Sequence, residues 1–189
     1  MAAVSARIRT RRMRPEDLPF IIDSWVDSYR MSHMAGPIPM DIYPGIYGEV
    51  VRRLIARPDA KVIIAYEPGE EPPDDIYGWI CVEEDAWTRA RVFEHGLHVD
   101  KDVRLEQPCV HYVNVKHAFR GHGVARALFA AAGVDPDRHW THTFSTAVVT
   151  KMRQRRRDGT PRRNWAGAFD PRLARFPKKQ IPKHEPMEE

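Results

Sequence analysis

The sequence is poor in the features that mark several large classes of protein. Only two of its 189 residues are cysteine, Cys81 and Cys109, and neither has the Cys or His spacing of a zinc site. Its longest apolar runs, at 62–66 and 127–134, are far shorter than the roughly 20 residues that a membrane-spanning helix needs. No apolar stretch follows the basic N-terminus, so no secretory signal is predicted. We therefore expect a cytoplasmic protein with reduced, buried cysteines, no bound metal and no membrane partner.

Net positive charge is also absent outside one end of the chain. The formal net charge is +4, but residues 151–189 hold twelve Lys and Arg against five Asp and Glu, so the rest of the chain is slightly acidic. Residues 151–189 are also rich in proline. The change in composition predicts a folded domain over residues 1–157 and a basic, Pro-rich C-terminal extension over residues 158–189.

What the sequence does contain is a regular succession of strand and helix patterns. These predict a strand over 6–13, a helix from Pro15, a helix over 46–56, strands over 61–67 and 75–84, a strand over 109–115, a helix over 123–132 and a strand over 139–147. Residues 85–108 fit either a short extra hairpin or an irregular excursion. The order predicts an α/β (α+β) fold with a central, mixed, mostly antiparallel sheet flanked by helices.

One junction combines a strand and a helix with almost no loop between them. The stretch His111–Gly133 reads HYVNVKHAFRGHGVARALFAAAG, with Gly121 and Gly123 at the start of the helix. A P-loop would need a Gly-Lys-Ser/Thr end, and a dinucleotide fingerprint would need a third glycine early in a βαβ unit. Neither pattern is present. Glycines before a helix instead let successive N–H groups converge on a phosphate, which the helix dipole also favours.

The pattern Arg-Gly-His-Gly-Val-Ala directly after a strand resembles the acyl-CoA-binding motif of the GNAT superfamily of N-acyltransferases. The resemblance covers roughly residues 6–155. It implies a GNAT fold in which the fourth strand, 109–115, splays from the next one to admit acetyl-CoA. It also implies that the backbone of Val113 and Val115 binds the pantetheine arm. The residues implied around the pyrophosphate are Arg120, Gly121, His122, Gly123, Val124 and Ala125.

The expected reaction is acetyl transfer to an amine by direct attack, since no cysteine lies beside a clear activating base. Many GNAT enzymes carry a tyrosine general acid after the fifth strand, but no tyrosine follows Tyr112 here. The candidate catalytic residues are therefore His111, Glu83 and Ser145. Strand alternation predicts His111 and Cys109 on one face and Tyr112 on the other.

The acceptor is expected to bind near the link between the first two helices. Residues 33–45 contain three prolines and two glycines, which predicts a loop with exposed large side chains. Met34, Met40 and Tyr43 are the candidate substrate residues. The acceptor could be a small-molecule or a protein amine, and the sequence leaves the oligomeric state open.

The basic segment 151–175 offers a second function. Its nine Lys and Arg are interleaved with Trp165 and Phe169, a composition that can neutralise phosphates and stack on bases. This layout looks like small phage- or prophage-encoded GNAT proteins, with a distant likeness to the DNA base-modifying enzyme Mom. The alternatives are therefore a GNAT-fold protein that associates with nucleic acid or modifies DNA bases, and a non-catalytic CoA-binding relative.

Overall fold

The structure, a computed structural model, describes residues 8–30, 39, 41–68, 75–84, 87–94, 97–104, 107–135, 140–143 and 167–169. Within these ranges the chain forms eight strands and three α-helices. The strands are β1 Arg9–Arg12, β2 Ala60–Glu67, β3 Asp75–Glu83, β4 Trp87–Glu94, β5 Leu97–Arg104, β6 Cys109–Val115, β7 Trp140–His142 and β8 Gly167–Phe169. The helices are α1 Leu18–Arg30, α2 Tyr43–Ile55 and α3 Val124–Ala131.

Six of the strands form one mixed sheet in the order β1-β2-β3-β6-β7-β8. The pairs β1–β2, β2–β3 and β3–β6 are antiparallel, whereas β6–β7 and β7–β8 are parallel. Strands β4 and β5 form a separate antiparallel hairpin inserted between β3 and β6. The mixed, mostly antiparallel sheet predicted from the sequence is confirmed, and of the two alternatives for residues 85–108 the hairpin is correct.

The helices cover both faces of this sheet. Successive residues of β2 and β3 point to opposite faces of the sheet, because side chains alternate along a strand. On one face, Ile64 and Trp79 pack with α1 and α2 in a cluster that we call the α1/α2-side core. On the other, Ile63 and Ile80 pack with α3 in the α3-side core. None of the helices in these described ranges is long and apolar enough to cross a membrane.

The first helix begins at a charged cap that joins it to β1. A 3-10 turn at Pro15–Asp17 precedes α1, and the buried Asp17 carboxylate accepts hydrogen bonds from the Arg14 backbone N–H at 2.7 Å and from Arg11 at 2.9 Å. Burial alone would raise the pKa of Asp17, but the hydrogen bonds and charges of these two arginines outweigh it and lower that pKa. The pair anchors the start of α1 to the edge of the sheet.

The second helix starts earlier than the sequence predicted. We expected a loop to residue 45 and a helix over 46–56, but α2 begins at Tyr43 and ends at Ile55. Pro44 lies in its first turn, where a missing N–H costs nothing and the fixed φ suits a helix. The proline that predicted a loop therefore belongs to the helix.

A glycine in β3 allows the close approach of β6, and this generates a prediction. A Cβ added to Gly78 would overlap the carbonyl oxygen of Asn114 and lie 3.1 Å from the Cα of Val115. We expect Gly78→Ala to lower the free energy of unfolding by about 1–3 kcal/mol, as overpacking does. Urea denaturation measures the change.

Gly45 provides the matched control for this substitution. It lies in the first turn of α2, and a Cβ added there meets no atom within 4 Å. Gly45→Ala should raise the free energy of unfolding by about 0.4–1 kcal/mol, because alanine restricts the unfolded chain. Equal effects of the two substitutions would contradict the steric argument.

Candidate functional site

The link between β6 and α3 turns at two glycines with left-handed backbone. After a 3-10 turn at His117–Phe119, Gly121 and Gly123 have φ angles of 84° and 87°, and Gly123 is the N-cap of α3. Only glycine adopts these angles readily. A Cβ added to Gly121 would meet no atom within 4 Å. The first N–H groups of α3 have no acceptor inside the helix, so this end of the helix favours an anion.

The backbone edge of β6 next to this turn faces away from β3. The N–H of Lys116 donates to the carbonyl oxygen of Tyr77 on β3 at 2.9 Å. Because the direction of backbone groups alternates along an antiparallel strand, those of Val115 and Val113 point to the other side. The Arg120 side chain agrees with this, since its Nε donates to the Val115 carbonyl oxygen at 3.2 Å from that side.

The strand on that side, β7, pairs with only the beginning of β6. Cys109 pairs with Thr141 and Val110 pairs with His142. The last backbone hydrogen bond to β6 among the described residues comes from the N–H of Thr143, which donates to the Val110 carbonyl oxygen at 3.4 Å. In the ranges that the structure describes, residues 111–115 of β6 have no strand partner on this side.

A β-bulge lies at the point where this pairing stops. On the other side of β6, Tyr112 pairs with Cys81 of β3, but Val110 pairs with the next residue, Val82. His111 is therefore an extra residue with no partner of its own. Bulges bend a strand and redirect its side chains, and they are common beside active sites.

The bulge overturns the predicted alternation of side chains. Simple alternation would place Val110 and Tyr112 on one face, yet Val110 packs in the α3-side core and Tyr112 in the α1/α2-side core. His111 bonds to Glu83, which shares a face of β3 with Cys81 of the α1/α2-side core. The prediction that Tyr112 points away from His111 is wrong, because the extra residue shifts the alternation by one.

The redirected His111 joins a buried chain of polar side chains. Arg57, just after α2, donates from an Nη atom to Oε2 of Glu83 at 2.9 Å. The same Oε2 is 2.8 Å from Nε2 of His111, and Nδ1 of His111 is 3.1 Å from Oγ1 of Thr143. His111 is completely buried, and the side chains of Glu83 and Arg57 are 7% and 10% exposed. We call these four residues the buried polar chain.

Burial and pairing set the charges of this chain. Burial alone would raise the pKa of Glu83, but the hydrogen bond from His111 and the charge of Arg57 outweigh it, and the pKa is lowered. Burial lowers the pKa of His111 although the Glu83 carboxylate acts in the opposite direction. At neutral pH, Glu83 is therefore ionised beside Arg57, and the imidazole is neutral.

The topology is now complete enough to identify the architecture. Three antiparallel pairings, a parallel β7 that pairs with Cys109 and Val110 of β6 in the described part of the chain, and a glycine turn into α3 occur in the order that the sequence resemblance implied. The chain has a GNAT-type fold. The hairpin β4–β5 is an addition between its third and fourth core strands.

The chain is similar in structure to several solved acetyltransferases. One is the ribosomal-protein-alanine N-acetyltransferase of Brucella melitensis, with 17% identity over 67% of this chain and 70% of that one, at a TM-score of 0.40. The GCN5-related N-acetyltransferase of Kribbella flavida has 16% identity over 67% and 63%, at 0.43. The acetyltransferase of Vibrio fischeri has 18% identity over 71% and 93%, at 0.39. Similarity at these TM-scores assigns no activity or substrate to the chain. No family model and no curated protein matches the sequence.

The structure brings together two of the three predicted catalytic residues. His111 and Glu83 are in direct contact, whereas Ser145 lies outside the described residues. The predicted cofactor residues lie on the end of β6 and on the turn and first residues of α3, and of these the Val124 side chain is buried in the α3-side core. His122 has Nδ1 3.1 Å from the carbonyl oxygen of Arg120, which ties the two residues within the turn.

Sequence reasoning missed Arg57 and Thr143. Arg57 directly follows the predicted helix 46–56 and Thr143 lies within the predicted strand 139–147, and neither position was predicted to join a polar site. One signal in the sequence could have indicated Arg57. Glu83 ends the apolar strand β3, and a carboxylate buried there requires a cationic partner. The sequence could not tell which of its 30 Lys and Arg that partner was.

Of the three predicted acceptor residues, the structure describes only Tyr43. The prediction that its side chain is exposed is wrong. Met34 and Met40 lie outside the described residues. Tyr43 is 2% exposed, because as the first residue of α2 it turns into the α1/α2-side core and stacks on Tyr47 at 4.4 Å between ring centroids. Burial raises its pKa, as it raises that of Tyr29 to about 12.

The basic segment 151–175 is described only at β8. Gly167–Phe169 pairs in parallel with β7, so a part of the C-terminal extension adds a strand to the edge of the main sheet. The remainder of the segment lies outside the described residues. The division at residue 157 and the nucleic-acid contact stay predictions.

The contribution of the buried Arg57–Glu83 ion pair to stability can be tested by comparison with the exposed Arg53–Glu49 pair. Breaking a buried pair leaves an uncompensated charge, so we expect Arg57→Met to lower the free energy of unfolding by about 3–5 kcal/mol. The control is Arg53→Met, which breaks a pair with Glu49 whose side chains are 59% and 50% exposed. It should cost less than about 1 kcal/mol. Equal losses in urea denaturation would show that Glu83 does not depend on Arg57.

Proposed function

We propose that this protein transfers an acetyl group from acetyl-CoA to an amine by direct attack. The observation that carries the proposal is that the His111 bulge, the outer edge of β6 and the glycine turn follow one another along the chain. The edge of β6 that has no strand partner among the described residues begins at the His111 bulge and ends beside the glycine turn of α3. A long ligand with a phosphate at one end and a reactive group at the other fits such an edge.

The residues of this edge suit acetyl-CoA chemically. The backbone groups of Val113 and Val115 point into the opening and can bond the amide groups of a pantetheine arm. The amides at Gly121, Gly123 and the start of α3 would hold the pyrophosphate, and the absence of a Cβ at Gly121 leaves room for it. Acetyl-CoA supplies the activated thioester. Acetyl as the acyl group is part of the proposal.

His111 serves as the general base in this proposal. Its imidazole is neutral at neutral pH because burial lowers its pKa, and Glu83 fixes its orientation through the 2.8 Å hydrogen bond. The cysteines favour direct attack over a covalent intermediate. Cys81 is fully buried, and burial raises its pKa so that the reactive thiolate is suppressed. Cys109 is also completely buried.

The acceptor enters the proposal only as an amine. Tyr43 is buried in the α1/α2-side core, so it does not offer an exposed side chain to the acceptor amine. Met34 and Met40 stay predicted acceptor residues. Two other functions remain as outcomes of the tests below. A CoA-binding relative without catalysis would bind acetyl-CoA without turnover, and a nucleic-acid modifier would turn over only with DNA or RNA.

The cofactor site is tested by calorimetric titration of acetyl-CoA into the wild type and Gly121→Asp. Aspartate tolerates positive φ better than most residues, but its charge would face the phosphates. We expect the Kd to rise about tenfold or more, equivalent to about 1.4 kcal/mol.

Gly133→Asp is the matched control, because Gly133 also has positive φ, 72°, and open space around it but lies at the far end of α3. It should bind acetyl-CoA within about twofold of the wild type, a difference of well under 1.4 kcal/mol. A folded wild type that does not bind acetyl-CoA would contradict the proposal.

The general base is tested by turnover of acetyl-CoA with spermidine, kanamycin, an alanine-initiated peptide and a DNA duplex as acceptors. With whichever is acetylated, we expect His111→Gln to reduce kcat about 100-fold, the usual contribution of a general base. The wild-type kcat/KM should fall as pH drops through the lowered pKa of His111, because the protonated imidazole cannot accept a proton. His142→Gln, at a buried histidine on β7, should retain turnover. The reverse pattern would assign the base to His142.

A further inference from the structure

The hydrogen bonds of His111 define which of its nitrogens can take up a proton. The ionised Glu83 carboxylate can only accept, so Nε2 of His111 carries a hydrogen and donates it to Oε2 at 2.8 Å. In the neutral ring Nδ1 then has a lone pair. The charged groups that face His111 are Glu83 on β3 and, through it, Arg57 after α2. Neither of them reaches Nδ1.

Thr143 is the polar side chain that reaches this nitrogen. Its Oγ1 is 3.1 Å from Nδ1 and 3.4 Å from the carbonyl oxygen of His111. In the described part of the chain no other polar group contacts Nδ1. Because His111 is 0% and Thr143 3% exposed, water does not reach the imidazole freely.

The position of Thr143 satisfies both protonation states of His111. With a neutral ring, the hydroxyl hydrogen can point to Nδ1. With a protonated ring, Nδ1–H donates to Oγ1 and the hydroxyl hydrogen turns to the carbonyl oxygen of His111. Gaining a proton therefore needs only a rotation of one O–H bond and leaves no buried donor or acceptor unpaired, which is otherwise costly.

Thr143 also lies at the proposed reaction centre. Its N–H, directly after β7, donates the last backbone hydrogen bond to β6 in the described part of the chain, immediately before the edge of β6 that has no strand partner there. We propose that the Thr143 hydroxyl is a proton relay between the acceptor amine and Nδ1 of His111. This inference rests on the proposed acetyl transfer and adds a residue that contacts the reacting amine.

The relay balances the transfer. As the amine nitrogen forms its bond to the acetyl carbon, the C–S bond breaks and CoA leaves as a thiolate. The proton released by the amine passes to Oγ1 of Thr143, and the hydroxyl hydrogen passes to Nδ1. The resulting imidazolium, stabilised by Glu83, returns its proton through the same hydroxyl to the thiolate. The products are an amide and CoA thiol, and the site returns to its initial state without a tyrosine acid.

The test compares substitutions at two buried threonines. Thr143→Val keeps the shape and removes the hydroxyl, and Thr143→Ser keeps the hydroxyl. Thr141→Val is the matched control, because Thr141 is 3% exposed on the same segment and its Oγ1 accepts a hydrogen bond from Gln107 at 2.9 Å, away from His111. Circular dichroism and melting temperature establish that each variant folds. Activity is measured with acetyl-CoA and the most active acceptor of the panel above.

We expect Thr143→Val to lower kcat about 100-fold, with the KM for acetyl-CoA within about twofold, because proton transfer is lost and binding is not. Thr143→Ser should stay within about fivefold of the wild type, and Thr141→Val within about twofold, since neither loses the relay. The wild-type kcat/KM should fall as pH drops through the lowered pKa of His111, whereas this fall should be absent in Thr143→Val, because Nδ1 then no longer exchanges a proton with the amine.

The failures of the two proposals differ. If the wild type acetylates no acceptor, the proposed function fails and the relay fails with it. If the wild type is active but Thr143→Val matches Thr141→Val in rate and pH profile, the acetyl transfer stands and the relay is wrong. Should Thr143→Val not fold, Thr143→Ala takes its place with the same expected rate and pH profile.

Discussion

The buried carboxylate of Glu83 is the constraint on which the centre of this molecule depends. An ionised group this deep costs several kcal/mol unless charges and hydrogen bonds compensate it. Arg57 and His111 provide that compensation, and each comes from a different part of the chain. The end of α2, the end of β3 and the bulge of β6 must therefore meet at one point. Burial of apolar side chains alone would not specify this meeting so closely.

Three features of the fold coincide with the bulge at His111. It turns the imidazole toward Glu83, it places Tyr112 in the α1/α2-side core, and it coincides with the end of pairing between β6 and β7. A regular strand could not combine these, because strict alternation would place His111 and Tyr112 on opposite faces. The same irregularity that positions the proposed base therefore begins the unpaired edge beside it.

Binding and chemistry rest on different kinds of interaction in this fold. The proposed phosphate site consists of backbone N–H groups and two left-handed glycines within a few residues of one another. The proposed proton transfer needs side chains from β3 and β6 and from the residues just after β7 and α2. A substitution that loosens packing can therefore disturb the buried polar chain while leaving the turn intact. We therefore expect the proposed cofactor binding and the proposed turnover to be separable by substitution.

Local patterns in the sequence determined much of this architecture. Apolar alternation and helical spacing are local, so they predicted most elements of the sheet and its helices, and Arg120 to Ala125 predicted the glycine turn because its geometry depends on adjacent residues. The start of α2 was missed, since Pro44 suits a loop and a first helical turn equally.

Only the tertiary structure decided the bulge at His111 and the burial of Tyr43. It also decided the contact of Arg57 with Glu83 and that of Thr143 with His111. These depend on register and on packing between distant segments, and a one-residue shift in register changes every side chain's face. No local pattern records such a shift.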